Sequence, residues 1–287
     1  MKKTHILISV FILITTLILY FTNSIYYKFI YEIIKLNKSL PTISSNFYDS
    51  PIENITYKDV IYKNRNDLKL KLDIYKSKNN NKKSPVIIYV FGNGWIDGSK
   101  VIPSGISPIV NLLLEEGYTI ISTSYELMND KIIFDNQVSD IKDTIRWVYK
   151  FKDKYDFDTN NIGIIAPSAG AQLSMLAAFS DNNDFIGDYN LSGYPSKVKY
   201  IIDLFGPTIL SEVNLSEAPK EITNNLSADD INKISNKYSP INYLRDNLPD
   251  TLIIHSLSDS IVPYRTSIEL YNKANSYNNN NFQFYTL

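Results

Sequence analysis

The sequence predicts an α/β fold built on a mostly parallel, doubly wound sheet. Short continuous apolar runs recur along the chain, and such runs are typical of parallel strands that are buried on both faces. These runs are residues 86–90, 119–122, 162–165, 200–204 and 252–254. Between strands, apolar residues recur at helical spacing, as at Val138, Ile141, Ile145 and Val148. Because strands and helices alternate on this scale, right-handed crossovers and a doubly wound sheet are expected.

An antiparallel hairpin is predicted ahead of the parallel strands. Apolar and polar residues alternate over residues 68–74, which is the period of a half-exposed strand. Residues 55–62 are expected to pair with that strand across a turn at residues 64–67. Residues 282–287 predict one more strand, and the polar, helix-like stretch 211–238 is expected to be an insertion near the functional site.

The composition excludes several classes of function. The chain has 287 residues, of which 44% are hydrophobic and 21% charged, so a folded globular body is expected. Its formal net charge of −1 gives no electrostatic footprint for a nucleic-acid partner. The absence of cysteine excludes disulfides, thiolate catalysis and Cys-ligated metals. With two histidines in all, His5 and His255, the sequence predicts no metal site and no cofactor.

The N-terminal segment predicts a membrane anchor. Lys2 and Lys3 precede an apolar run that extends from Ile6 to Tyr27, a pattern typical of an export signal or an anchor. Because no small-residue cleavage site follows, we expect residues 1–27 to be an uncleaved signal anchor that places the globular body outside the cytoplasm. A cleaved signal peptide and a secreted protein are the alternative, and a buried core helix is disfavoured because the run has no polar face. Residues 28–54 are then expected to form a juxtamembrane helix and linker, and 55–287 to be the globular domain.

A strand-to-helix turn carries the candidate nucleophile. The sequence Ala166-Pro167-Ser168-Ala169-Gly170 directly follows the apolar run 162–165 and precedes a helical pattern at 171–179. Such a turn projects the serine hydroxyl and aims a helix N-terminus at a developing oxyanion. Without that context, a small-x-Ser-x-Gly string is mostly accidental.

Two further loops could complete a catalytic site. Phe91-Gly92-Asn93-Gly94-Trp95 follows the strand 86–90 and could present backbone N–H groups to a substrate oxygen, although Asn-Gly is also a common tight turn. Asp259 follows the strand 252–254, where the orienting acid of a catalytic triad would lie. A lone aspartate in a loop is more often a turn or cap residue.

These three segments together resemble one family. The segments "VIIYVFGNGWIDGSK" (86–100), "ISTSYEL" (121–127), the elbow region 138–179, "DLFGP" (203–207) and "SPINYL…TLIIHSLSDSIVPY" (239–264) are similar to those of the hormone-sensitive-lipase-like and feruloyl-esterase-like (BD-FAE-like) α/β-hydrolases. The resemblance runs from about residue 55 to the end and implies the α/β-hydrolase fold. It implies that Ser168 is the nucleophile and Asp259 the acid. It also implies that the backbone N–H groups of Asn93, Gly94 and Ala169 form the oxyanion hole.

The chain departs from the family pattern at several positions. Phe91 replaces a histidine that braces the loop, so another packing solution is required, and Asn93 replaces a glycine. Ala166 replaces the upstream glycine of the elbow. The family's catalytic histidine follows the last strand, and the chain has none there; His255 matches a structural histidine instead. We therefore expect a truncated reading of a longer gene that lacks the histidine loop and the last helix.

The resemblance favours a serine hydrolase that cleaves small-molecule carboxylic esters through an acyl-enzyme. One alternative is a non-catalytic surface protein that keeps the fold for binding, which Phe91, Asn93 and the absent histidine favour. A weaker alternative is a peptidase of the same fold.

Overall fold

An eight-stranded mixed sheet forms the centre of the structure. The computed structural model describes residues 55–77, 83–129, 131–213, 227–277, 279 and 281–287. The strands are β1 (Tyr57–Arg65), β2 (Leu68–Tyr75), β3 (Ser84–Val90), β4 (Thr119–Thr123), β5 (Phe157–Pro167), β6 (Tyr200–Leu204), β7 (Asp250–His255) and β8 (Phe282–Thr286). Their order across the sheet is β1-β2-β4-β3-β5-β6-β7-β8. The pairs β1–β2 and β2–β4 are antiparallel and the others are parallel, so the predicted sheet and its leading hairpin are confirmed.

Helices cover both faces of this sheet. They are α1 (Ser107–Glu115), α2 (Phe134–Lys150), α3 (Ser168–Phe179), α4 (Ala228–Tyr238) and α5 (Tyr264–Ser276), with 3₁₀ turns at Ser104–Ile106, Leu210–Glu212 and Pro240–Tyr243. The helix α3 is buried along almost its whole length, because it packs against β3, β5 and β6 and against α2. The helix α4 lies in the predicted insertion and begins with a capping box between Ser227 and Asp230.

The central strands place the functional loops at one edge. The strands β3 and β5 run parallel with Tyr89 opposite Ile165, so the chain leaves both at the same end of the sheet. The strands β6 and β7 run in the same direction beyond β5. Loops that follow these strands therefore meet at the carboxyl edge, where ligands bind in open α/β sheets.

A buried ionic cluster joins β1 to α2. The ammonium group of Lys63 lies 2.7 Å from the Asp140 carboxylate and 2.6 Å from that of Asp143, and all three side chains are nearly or fully buried. Asp143 also pairs with the guanidinium of Arg146, and Asp140 with that of Arg65. The charges compensate one another within the cluster, which is the condition for keeping them out of water.

The predicted anchor (1–27) and the juxtamembrane segment (28–54) lie outside the described residues. Of the helices that the structure describes, none combines the length and the hydropathy that crossing a bilayer requires.

Candidate active site

Ser168 lies at the first position of α3, directly after β5. Its backbone φ angle is +50°, a left-handed conformation that non-glycine residues seldom adopt. The helix has no side-chain cap at its N-terminus, so its first N–H groups are free to bind a ligand. A strained serine at an uncapped helix N-terminus is the geometry of a nucleophile elbow.

The turn around Ser168 is crowded, and two positions there leave no room for a side chain larger than that of glycine. A β-carbon on Gly92 would lie 2.8 Å from the Pro167 carbonyl oxygen and 3.2 Å from the β-carbon of Ser168. A β-carbon on Gly170 would overlap backbone atoms of Val90 and Phe91. The serine turn and the loop after β3 are therefore in direct backbone contact.

That loop, residues 91–95 and here called the glycine loop, has an unusual backbone. Asn93, Gly94 and Trp95 have φ angles of +86°, +64° and +67°. Successive N–H groups in such turns form concave anion-binding sites. Within the described residues, the backbone N–H groups of Asn93, Gly94 and Ala169 donate to no protein acceptor. The three donors that the resemblance implied are therefore free.

Phe91 stands where the family has the loop-bracing histidine, and it packs against a different partner. Its ring stacks on that of Tyr125, with 4.2 Å between ring centroids and 11° between ring planes. The Tyr125 hydroxyl also donates to the Phe91 carbonyl oxygen at 3.2 Å. Burial raises the pKa of Tyr125, so this donor stays protonated. A stacked aromatic pair thus braces the start of the glycine loop.

Gln137 holds the other end of the glycine loop. Its side-chain amide donates to the carbonyl oxygens of Trp95 at 3.0 Å and of Glu126 at 2.8 Å. The Trp95 carbonyl accepts a further bond from the N–H of Met128 at 3.0 Å. Sequence reasoning missed Gln137, because a polar residue on a helix gives no local sign that it is buried.

Asp259 lies four residues after β7 at the carboxyl edge. One carboxylate oxygen accepts the N–H groups of Ile261 and Val262, both at 2.9 Å. The other lies 3.4 Å from Nε2 of His255. Partial burial works to raise the pKa of Asp259, but the bonds from His255, Val262 and Ile261 outweigh it and hold the pKa below its ordinary value. The carboxylate is therefore charged and fixed.

His255 is fully buried and both its ring nitrogens are engaged. Nε2 lies 3.0 Å from the Val262 carbonyl oxygen, which can only accept, so Nε2 carries the proton. Nδ1 lies 2.8 Å from the hydroxyl of Ser267. The ring therefore packs between Ser267, the Val262 carbonyl and the Asp259 carboxylate.

The structure brings Ser168 and the glycine loop together, but it leaves Asp259 separate. Asp259 follows β7 and Ser168 follows β5, two strands apart, which corresponds to about 10 Å between strand axes. Among the described residues, no hydrogen bond joins their side chains. The C-terminal residue Leu287 lies on the Asp259 side, since its carbonyl oxygen accepts from the N–H of Leu257.

Asp203 is a buried acid that sequence reasoning did not single out. It lies on β6 under α3, and one carboxyl oxygen accepts the N–H of Gly206 at 2.7 Å while the other has no partner among the described residues. Burial raises its pKa to about 7, against the opposing effects of the Gly206 N–H and the nearby His255. A lone acid within the apolar run 200–204 was the signal that could have revealed it.

The described residues also contain no grouping of three or more His, Cys, Asp or Glu side chains that could hold a metal ion.

Comparison with known proteins places this chain in a family. Esterase LipC of Mycobacterium tuberculosis is 25% identical over 199 residues, which cover 67% of this chain and 49% of LipC. A putative α/β hydrolase of Acanthamoeba polyphaga mimivirus is 30% identical over 114 residues, which cover 39% of this chain and 32% of that protein. The chain thus spans about half the length of LipC, and less of the viral protein.

Solved structures share the fold. Esterase 2 of Thermogutta terrifontis superposes with a TM-score of 0.67 at 21% identity, over 84% of this chain and 85% of that chain. Its butyrate-bound form gives a TM-score of 0.66 at 20% identity, over 80% of this chain and 82% of that chain. The mixed eight-stranded sheet is therefore that of the α/β-hydrolases. The BD-FAE family model matches residues 72–274, well over half of the chain. This chain belongs to the BD-FAE family of α/β-hydrolases.

Proposed function

We propose that this protein hydrolyses small-molecule carboxylic esters through an acyl-enzyme on Ser168. The observation that carries the proposal is the left-handed Ser168 at an uncapped helix N-terminus, in backbone contact with a loop that offers free N–H groups. The names of relatives support it at the level of the family, since LipC is an esterase and LipM of Mycobacterium tuberculosis a probable carboxylic ester hydrolase.

The chemistry divides into two steps. The Ser168 hydroxyl oxygen attacks the ester carbonyl while its proton passes to a base, and the carbonyl oxygen becomes an oxyanion. The N–H groups of Asn93, Gly94 and Ala169 stabilise that oxyanion, the alcohol leaves with the proton, and the acyl group stays on Ser168. Water then attacks the acyl-enzyme by the same route and releases the acid.

The proton acceptor in this proposal comes from outside the described residues. His255 has both ring nitrogens engaged in the packing of the Asp259 loop. We propose that the base is a histidine from outside the described residues, held beside the Asp259 loop. Asp259 would orient the imidazole, as the acid of a triad does.

External imidazole tests this assignment on the chain itself. Hydrolysis of p-nitrophenyl acetate is measured with and without imidazole, for the wild-type chain and for Ser168→Ala, whose rate gives the background from imidazole alone. We expect imidazole to produce a rate above that background in the wild type only. Where the gene encodes residues beyond Leu287, the extended protein should need no imidazole. Equal rates for both chains in every condition would contradict the proposal.

A second candidate is a surface protein that uses the fold for binding alone. The engagement of both His255 nitrogens favours it, since the described residues then hold no imidazole for Ser168. The imidazole experiment separates the two candidates, because a binding protein would show no Ser168-dependent rate even in the extended form.

We also propose that residues 1–27 anchor the protein in a membrane, with the domain 55–287 outside the cytoplasm. Support comes from the apolar run behind Lys2 and Lys3. The full chain should resist extraction of membranes with alkaline carbonate, and deletion of residues 1–27 should release it. Release of the full chain by carbonate, or its processing to a shorter secreted form, would overturn the anchor.

A further inference from the structure

Gln172 forms a bridge between the glycine loop and the insertion that carries α4. It lies one helical turn after Ser168 on α3 and is fully buried. Its side-chain oxygen accepts the indole N–H of Trp95 at 3.0 Å, and its amide nitrogen donates to the Tyr238 carbonyl oxygen at 2.7 Å. Because an indole N–H can only donate and a carbonyl can only accept, one orientation of the amide satisfies both.

Stacked rings make a second connection between the same elements. The Trp95 ring contacts that of Phe134 edge-on at 5.4 Å, and Phe134 contacts that of Tyr238 at 4.8 Å. Tyr238 is the last residue of α4. The indole of Trp95 is therefore held to the end of α4 on two sides, by the Gln172 amide and by the Phe134 ring.

The position of this bridge matters because Trp95 is strained. Its φ angle of +67° is a left-handed conformation that is unfavourable for a bulky residue and persists only under external restraint. Asn93 and Gly94, which carry the free N–H groups, directly precede it. Any motion of α4 that breaks the Gln172 bridge would release the Trp95 indole, leave Trp95 held by the bonds to its carbonyl oxygen, and allow those donors to shift.

We propose that Gln172 is a positioning residue that couples α4 to the glycine loop, so that the placement of α4 sets the geometry of the oxyanion-binding N–H groups. The inference rests on the proposed ester hydrolysis and adds to it a means of regulation. Contact of a substrate with the insertion would change kcat, rather than binding alone, because the N–H groups act on the transition state.

Two substitutions, Gln172→Leu and Gln172→Glu, test whether Gln172 positions the oxyanion-binding N–H groups or only supports the fold. Leucine removes both hydrogen bonds. A neutral carboxylic acid can replace both, since it accepts from Trp95 and donates its O–H to the Tyr238 carbonyl, whereas a carboxylate can only accept. Gln172→Leu should lower kcat of Ser168-dependent hydrolysis about 10- to 100-fold with KM within about threefold. For Gln172→Glu, the ratio of its kcat to that of the wild type should rise as the pH falls and the introduced carboxyl becomes protonated.

Ser174→Ala is the matched control, since Ser174 is also buried on α3 but bonds only to the Gly170 carbonyl within the same helix. It should keep wild-type kcat at every pH. A wild-type kcat for Gln172→Leu, or a ratio for Gln172→Glu that does not change with pH, would overturn the coupling.

A fluorescence measurement tests the bridge independently of catalysis. The chain has two tryptophans, so Trp147→Phe leaves Trp95 as the sole indole emitter. In that background, Gln172→Leu should shift the Trp95 emission to longer wavelength and increase its quenching by acrylamide. Unchanged emission and quenching would contradict the bridge. If Ser168→Ala hydrolysed esters as well as the wild type, the proposed function would fail while this measurement still tested the bridge.

Discussion

A β-carbon on Gly170 would lie 2.3 Å from the carbonyl oxygen of Phe91, so α3 and the glycine loop are in contact through backbone atoms. Backbone atoms cannot rotate away as a side chain can. Gly170→Ala should therefore lower the free energy of unfolding by about 3 kcal/mol and remove Ser168-dependent hydrolysis. Urea unfolding and the ester assay check both effects. Gly193→Ala is the matched control, because nothing lies within 4 Å of a β-carbon there. Equal stability and equal hydrolysis rates for the two variants would show that the structure accommodates a β-carbon at Gly170.

The backbone strain at Ser168 should lower the free energy of unfolding. A left-handed conformation costs an L-residue roughly 1–2 kcal/mol, and glycine avoids that cost. Ser168→Gly should therefore unfold at a higher urea concentration than Ser168→Ala, with a difference of about 1 kcal/mol, although both lack the nucleophile. A more stable alanine variant would mean that the φ angle of +50° is not a source of strain.

The buried ion pairs of Lys63 should contribute far more to the free energy of unfolding than a surface ion pair does. Lys63→Met leaves Asp140 and Asp143 short of one cation, and the free energy of unfolding should fall by about 3 kcal/mol. Lys83→Met breaks an exposed ion pair with Asp153 and should leave the urea midpoint unchanged. If both substitutions shifted the midpoint equally, the cluster would contribute no more than a surface pair.

Asp203 should make stability depend on pH. Its folded pKa of about 7 lies above the unfolded value, so its contribution is fully present below the unfolded pKa and is lost as the pH rises through about 7. Asp203→Asn removes this titration. Between about pH 5 and about pH 8, the stability of Asp203→Asn relative to the wild type should rise by about 2 kcal/mol. Urea unfolding at both pH values measures it, and taking the difference removes the titration of other groups. A difference that does not vary with pH would contradict the raised pKa.

The central strands, the leading hairpin and the elbow turn were predictable because they rest on local patterns. Apolar runs locate the central strands, and the turn at Ser168 follows from its neighbours in sequence. The start of β5 at Phe157 was not predicted, since the polar residues 158–161 precede its apolar run. The helix α5 was not predicted either, because Leu270 is the one large apolar residue among its fully buried positions, which otherwise hold Thr266, Ser267 and Ala274.

The supports of the site depend on contacts between residues that are distant in the sequence. Phe91 and Tyr125 are 34 positions apart, and Trp95 and Gln172 are 77 apart. A substitution such as Phe91 for histidine shows that the loop needs a new brace, but only the fold shows which residue supplies it. Buried glutamines are likewise invisible in a pattern of apolar spacing.

Covalent capture of the nucleophile tests the central claim most directly. The full chain is incubated with a fluorophosphonate in the presence of imidazole, and the modified residue is located by mass spectrometry. We expect one phosphonyl adduct on the peptide that contains Ser168, and no adduct in Ser168→Ala. Ester hydrolysis by a chain whose Ser168 stays unmodified, or the same adduct in Ser168→Ala, would contradict the assignment of Ser168 as the nucleophile.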